Sequence, residues 1–164
     1  MEHLKPLKKA VLEKKATWWK MELPNGSVSF GSAKAEMLGY PSSHFDTYTK
    51  FTDLLHPDDY EKAMEAMKYH IDGQKNFYET SYRIQHKNGT YLQFYDIGQV
   101  IERSEGKVVI MGFVWSIEKD VNSEELITSI KQGILEGNPP LIDIVKGIQK
   151  DQMPAIEIKN TAPF

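Results

Sequence analysis

Apolar residues recur at helical spacing in one long stretch and at alternate positions in several shorter ones, and the switch between the two periods divides the chain. The helical stretch runs from Pro57 to about Gly73, where Ala63, Met64, Met67 and Ile71 fall three and four residues apart. Pro57 has no backbone donor to lose in a first helical turn. Asp58 and Asp59 place negative charge at the positive end of the helix dipole, and Asp72-Gly73 is a stop signal. From Phe77 to His86 the period changes to two: Tyr78, Thr80, Tyr82 and Ile84 share one strand face, and Glu79, Ser81, Arg83 and Gln85 the other. Lys87-Asn88-Gly89 predicts a tight hairpin, and Thr90 to Glu102 a long strand in which Gly98 marks a bulge or a close backbone approach. After Ser104-Glu105-Gly106, the nearly unbroken apolar run from Lys107 to Ile117 predicts a strand covered on both faces.

The flanks are simpler. Residues 4–16 read as a helix with Pro6 near its start and a stripe of Leu4, Leu7 and Val11, widened by Leu12. That spacing fits a capping helix and equally a short coiled-coil seam. Thr17 to Leu23 and Ser27 to Phe30 are strands joined by the turn Pro24-Asn25-Gly26. Ser32 is placed to cap a short helix from Ala33 to Leu38, which Gly39-Tyr40-Pro41 ends. Phe45, Tyr48 and Phe51 are inward anchors of the segment before His56. Beyond Ile117, Asn122 or Ser123 caps a helix through Leu135 with Ile127, Ile130 and Ile134 on one side. Gly137 to Pro140 breaks it, Leu141 to Lys150 predicts a second short helix, and the chain from Met153 to Phe164 is expected to be extended or disordered.

The His56-Pro57 helix start, the hairpin before it and the three-strand meander after it form a pattern with its own wording. Leu38-Gly39-Tyr40, Tyr82-Arg83-Ile84, Lys87-Asn88-Gly89-Thr90-Tyr91 and Gly112 to Ile117 complete it. From about Trp18 to Ile117 the chain resembles a PAS domain, of the PAS-3 type found in bacterial signalling proteins. It departs from that pattern at Gln93, where the family usually places a Trp, and at Ser116-Ile117-Glu118, which replaces a common Asp-Ile-Thr. The family's hydrogen-bonded junction there is therefore not carried over. The resemblance implies an α+β fold: a five-stranded antiparallel sheet with helices on one face, plus an N-terminal capping helix and a C-terminal helical extension. The divisions would be 1–16, 17–117 and 118–164. It implies a non-catalytic sensory module that binds a small ligand or mediates dimerisation. Such a module relays a change to an output domain of the histidine kinase or diguanylate cyclase type, as in two-component systems.

Composition narrows the chemistry. Of 164 residues, 20 are Lys or Arg and 23 Asp or Glu, and a net charge of −3 gives no general attraction to nucleic acid. No apolar run reaches the roughly 18 residues of a membrane span. No hydrophobic leader follows the basic N-terminus, and a cytoplasmic location is the default expectation. The chain has no Cys, which leaves no disulfide, thiolate or zinc–thiolate chemistry. It also leaves no attachment point for a covalent flavin of the kind some PAS domains carry. The heme-binding branch takes its ligand from inside the long helix, where Ala63 stands here, and His70 lies two turns later. Heme and covalent flavin are therefore not expected, non-covalent FAD stays open, and the cofactor is unknown. The histidines show no metal-ligand spacing. Asp58 and Asp59 point about 100° apart on a helix and read as capping rather than as a carboxylate pair. His56 reads as a structural hydrogen-bonding residue, and Arg83 with Glu79 as a surface pair worth under ~1 kcal/mol.

Candidate ligand contacts are Tyr48, Met64, Met67, Tyr82, Phe94 and Val114, within a core that adds Phe30, Leu38, Phe51, Leu55, Leu92 and Ile110. The rival readings are a small enzyme or ligand carrier, in which His44, Tyr48, Tyr82, Gln93 and Ser116 would converge on one cavity, and a dimerisation domain with a filled core. On the last strand, Ile110, Gly112 and Val114 face inward. Val109, Met111, Phe113, Trp115 and Ile117 form an outer row too apolar to remain in water. The N-terminal helix is expected to cover part of that row and a second protomer the rest, giving a homodimer.

Overall fold

The computed structural model describes residues 4–135, 156–158 and 163–164, and the side chains of residues 4–133 and 163–164. In chain order the elements are α1 (Lys5–Leu12), β1 (Ala16–Leu23), β2 (Ser27–Phe30), α2 (Ala33–Met37), a 3-10 turn (Ser42–His44), α3 (Tyr48–Thr52), α4 (Pro57–Ile71), β3 (Tyr78–Gln85), β4 (Tyr91–Ser104), β5 (Lys107–Ser116), α5 (Ser123–Leu135) and β6 (Ile156–Ile158). The sheet runs β3-β4-β5-β1-β2-β6. The five expected strands are present and antiparallel, and β6 adds a short sixth at the β2 edge. The helix expected over Leu141 to Lys150 and the break before it lie outside the described residues.

Alternation along the central strands divides the interior in two. Trp19, Met21, Phe94, Ile110 and Val114 face α2, α3 and α4 in one apolar cluster. Trp18, Ile97, Met111, Phe113 and Trp115 face the opposite side. That outer row is where expectation and structure part. Leu7, Ala10 and Val11 of α1 cover it together with Leu126 and Ile130 of α5. Among the described residues the same chain supplies the cover of Met111, Phe113 and Trp115, while Ile117, the last residue of the expected row, is 43% exposed. Helices thus lie on both sides of the sheet.

The local signals correct three further readings. α5 buries Leu126, Ser129, Ile130 and Gly133, so of the expected row Ile130 is buried and Ile127 only partly so, and Asn122 caps the helix by accepting from Glu125 N at 3.1 Å. Leu12 does not widen the α1 stripe and is 55% exposed. Ser32 makes no backbone cap; its hydroxyl pairs with the Glu36 side chain at 3.3 Å. The Gly98 signal was a close approach, because the register irregularity of β4 falls between Val100 and Glu102. No helix among the described residues is long and apolar enough to cross a membrane.

Candidate functional site

A cavity of about 100 Å³ lies between the inner sheet face and α2, α3 and α4. Its position depends on how α4 is fixed. His56 Nδ1 accepts from Asp58 N at 3.1 Å and caps the helix, while His56 N donates to Arg83 O at 2.9 Å. Asp59 is buried and takes Arg83 Nε at 2.8 Å, Arg83 Nη2 at 2.9 Å and Arg83 N at 2.8 Å. Asp59 therefore does more than favour the helix dipole: it is the acceptor that ties α4 to β3. The fork of hydrogen bonds from Arg83 holds its carboxyl far below the usual carboxylate range. Arg83 is paired with Asp59, not with Glu79. Glu79 accepts instead from Lys131 at 3.0 Å and from the Tyr95 hydroxyl, joining the sheet to α5. With α4 so anchored, Ala63, Met64 and Met67 line the cavity roof.

Trp19 lines the sheet side of the cavity and rests on a floor of two facing glycines that do not themselves line it. Gly98 of β4 pairs with Gly112 of β5. A Cβ at Gly112 would lie 2.4 Å from Ile97 O and 2.5 Å from Trp19 Cζ2, and one at Gly98 would lie 2.5 Å from Met111 O. The bare backbone is what lets the Trp19 indole lie flat across both strands. That placement brings Trp19 Nε1 to 2.7 Å from Asp96 Oδ1. The other carboxylate oxygen accepts from the Tyr82 hydroxyl at 3.0 Å. Tyr82 Oη in turn accepts from Lys34 Nζ at 2.6 Å. The Lys34 ammonium also lies 4.9 Å from the Tyr82 ring centroid, 5.1 Å from that of Phe51 and 5.6 Å from that of Phe94, within reach of the negative ring faces.

Burial strains the charges of this chain of contacts in opposite directions. Removal from water pushes the Asp96 carboxyl up to about 6, against the pull of Lys34 and of its two hydrogen bonds. The same removal pushes Lys34 down to about 8, with Asp96 opposing. Burial and the Asp96 charge hold the Tyr48, Tyr78 and Tyr82 hydroxyls above the ordinary tyrosine range. At neutral pH the site is a cation and an anion separated by one phenol, enclosed by aromatic and methionine side chains.

Of the residues expected at a ligand site, Tyr48, Met64, Met67, Tyr82 and Val114 line the cavity. Phe94 is fully buried behind the lining, beside Lys34 and stacked on Tyr82. Of the five polar residues required for the enzyme reading, Tyr48 and Tyr82 reach the cavity. Gln93 is exposed and donates to Ser81 Oγ at 2.8 Å; Ser116 Oγ bonds to Gln93 O at 3.4 Å; His44 stacks on Tyr40. His70 uses both ring nitrogens, Nδ1 with Lys75 O at 2.8 Å and Nε2 accepting from Val100 N at 2.9 Å, so it has no nitrogen to offer an iron. A volume of about 100 Å³ is also well under the ~300 Å³ at the lower end of drug-sized pockets, so heme or FAD does not fit this cavity as it stands. Sequence reasoning missed Lys34, Asp96 and Trp19. The signal for Asp96 was available, since alternation from Phe94 places this lone acid on the inner face.

Residues 28–114 match the model of the PAS fold family. Over 114 residues the chain is 28% identical to a methyl sulfide methyltransferase-associated sensor of Methanosarcina acetivorans, covering 68% of this chain and 11% of that protein. It thus spans about a ninth of that relative's length. Among solved structures it resembles a sensory box histidine kinase/response regulator from Burkholderia thailandensis, with TM-score 0.56, 20% identity and coverage of 79% of this chain and 98% of the other. It also resembles the N-terminal domain of a diguanylate cyclase with a PAS/PAC sensor from Marinobacter aquaeolei, with TM-score 0.55, 25% identity and coverage of 63% and 95%. The strand order, the anchored α4 and the match over more than half its length place this chain in the PAS fold family.

Proposed function

We propose that this chain is a sensory module in which occupation of the inner cavity is relayed through β5 to α5, and from there to an output domain of the histidine kinase or diguanylate cyclase type. The observation that carries this reading is the short path between them. Asp96 pairs in register with Val114 on β5. The next residue, Trp115, points to the opposite face and donates from Nε1 to Ser123 Oγ at 2.9 Å, at the first turn of α5. A change in the hydrogen bonds of Asp96 is therefore one strand residue away from the first turn of α5. Two of the similar structures carry sensory signalling names, which supports a sensory role. A homodimer in this reading uses the outward side of α1, where Leu12 is exposed, because Met111, Phe113 and Trp115 of the sheet face are already covered. A cytoplasmic location goes with the same reading.

Ala63→Met tests it. Ala63 is buried on the cavity wall, and the longer side chain takes up the space without adding charge. Amide hydrogen exchange over Ser123–Leu135 should change by threefold or more relative to the unaltered protein. Exchange changes confined to α4 would contradict the relay.

A further inference from the structure

Lys34 and Thr17 on the cavity wall have unused hydrogen-bonding capacity. The Lys34 ammonium has three donors, and among the described residues the Tyr82 hydroxyl is its one hydrogen-bond acceptor. Asp96 lies beyond ion-pair distance and is reached only through Tyr82. Thr17 Oγ1, on the sheet side of the same cavity, is fully buried and has no hydrogen-bond partner among the described residues. Buried donors of this kind are costly unless something accepts from them, and an ionised acceptor gains about twice as much as a neutral one. The remaining lining is mostly apolar. The volume sets the size: about 100 Å³ is less than the roughly 150 Å³ that admits benzene, which allows a molecule of about four to six heavy atoms.

We propose that the cavity is a receptor site for a small monocarboxylate, whose oxygens accept from Lys34 and Thr17 while Asp96 takes up a proton. This rests on the sensory reading and names the ligand class for it. The proton follows from charge balance. The empty site already holds one cation and one anion, and a second anion brought into the same apolar space leaves a net buried negative charge. Asp96 is the group that can absorb it, so the anion and one proton enter together. The titratable side chains facing Asp96 are Lys34 from α2, Tyr48 from α3, and Tyr78 and Tyr82 from β3; β1, β2, β5 and α4 contribute none to the cavity. The three tyrosines stay neutral across the relevant range, which leaves Asp96 and Lys34 to set the pH profile.

Between about pH 6 and 8 the free protein carries both charges, and binding consumes a proton. Affinity should fall as pH rises across this window, by up to about tenfold per unit. Above about 8, Lys34 loses its proton and affinity falls further. Protonation of Asp96 on binding also weakens its grip on Trp19 and Tyr82, which gives the ligand a direct effect on the group nearest β5.

The test is calorimetric titration of the protein with sodium propionate and with propionamide, its neutral counterpart of the same shape, at pH 6, 7 and 8. Propionate should bind about fivefold or more weakly with each step up in pH and take up close to one proton at pH 7. Propionamide should bind at least tenfold more weakly than propionate at pH 6, with no dependence on pH. Lys34→Met should lose at least tenfold in propionate affinity. The pH series on the unaltered protein stands on its own if that variant does not fold. Propionamide binding as well as propionate, a flat profile, or no binding of propionate would each overturn the carboxylate assignment. The sensory reading falls separately, if Ala63→Met leaves α5 exchange unchanged.

Discussion

The two faces of the sheet are built from the same strands and serve different ends. The outer face receives Trp18, Ile97, Met111, Phe113 and Trp115 and is closed by apolar side chains of α1 and α5. Its polar ties, Trp115 to Ser123 and Glu79 to Lys131, lie at its margin. The inner face receives Trp19, Asp96, Gly98, Gly112 and Val114 and holds a cavity, a buried acid and a cation among aromatic rings. A close-packed face transmits displacement because it cannot absorb it, whereas a face with free volume and tunable charge can change state at small cost. The difference fits the proposed relay, in which the inner face would register a change and the outer face would carry it.

The comparison predicts unequal costs. Phe113 is fully buried among α1 and α5 side chains. Phe113→Ala should cost ~3–5 kcal/mol in chemical denaturation, and a loss under ~1 kcal/mol would mean the outer face is not packed as described. Met67 is buried but borders free volume. Met67→Ala should cost ~2–5 kcal/mol, below the Phe113 value, because a side chain that already borders free volume gives up fewer packing contacts. Equal or reversed costs would erase the distinction between the faces.

The charges give a pH signature confined to the inner face. Asp96 is raised in the folded state to about 6, so its contribution to stability is fully present below the unfolded carboxylate range near ~3.9. That contribution is lost as pH rises through about 6. Asp96→Asn should therefore become more favourable, relative to the unaltered protein, by on the order of 2 kcal/mol between pH 4 and 7. His70 has the opposite sign: burial lowers it, so its contribution is present above ~6.5 and is lost as pH falls. A pH-independent Asp96→Asn effect would show that Asp96 is not a desolvated acid. The smallest effect is at the glycine floor. Gly112→Ala should cost about 1–3 kcal/mol, because Ile97 O and Trp19 must both give way. It should also blue- or red-shift the tryptophan emission as Trp19 leaves Asp96, and an unchanged spectrum would remove Trp19 from the floor.

Much of this was legible in the sequence, for physical reasons that can be named. Period-two alternation placed Tyr78, Thr80, Tyr82 and Ile84 on one face of β3 and assigned both faces of β5, because strand geometry leaves no third option. The α4 stripe of Ala63, Met64 and Met67 was equally readable at helical spacing. Partners distant in sequence were not. Asp59 and Arg83 lie 24 residues apart, and Trp19 and Asp96 lie 77 apart, so no local pattern reports either bond. Lys34 sits in a five-residue helix too short to define a face. The cover of the outer row was half found: the α1 stripe was clear, but on α5 the expected row of Ile127, Ile130 and Ile134 included the buried Ile130 and missed Leu126, which is buried with it.

The most direct test of the link between the faces is to follow Asp96 Cγ and the backbone amides of Trp115 and of Ser123 to Leu126 by NMR across pH 4.5 to 8. The account predicts that the amides shift with the midpoint of Asp96, near 6, and that Lys34→Met moves both midpoints upward together by removing the cation that favours the charged carboxylate. Amides at the start of α5 that stay flat while Asp96 titrates, or that follow a midpoint Lys34→Met leaves in place, would contradict it.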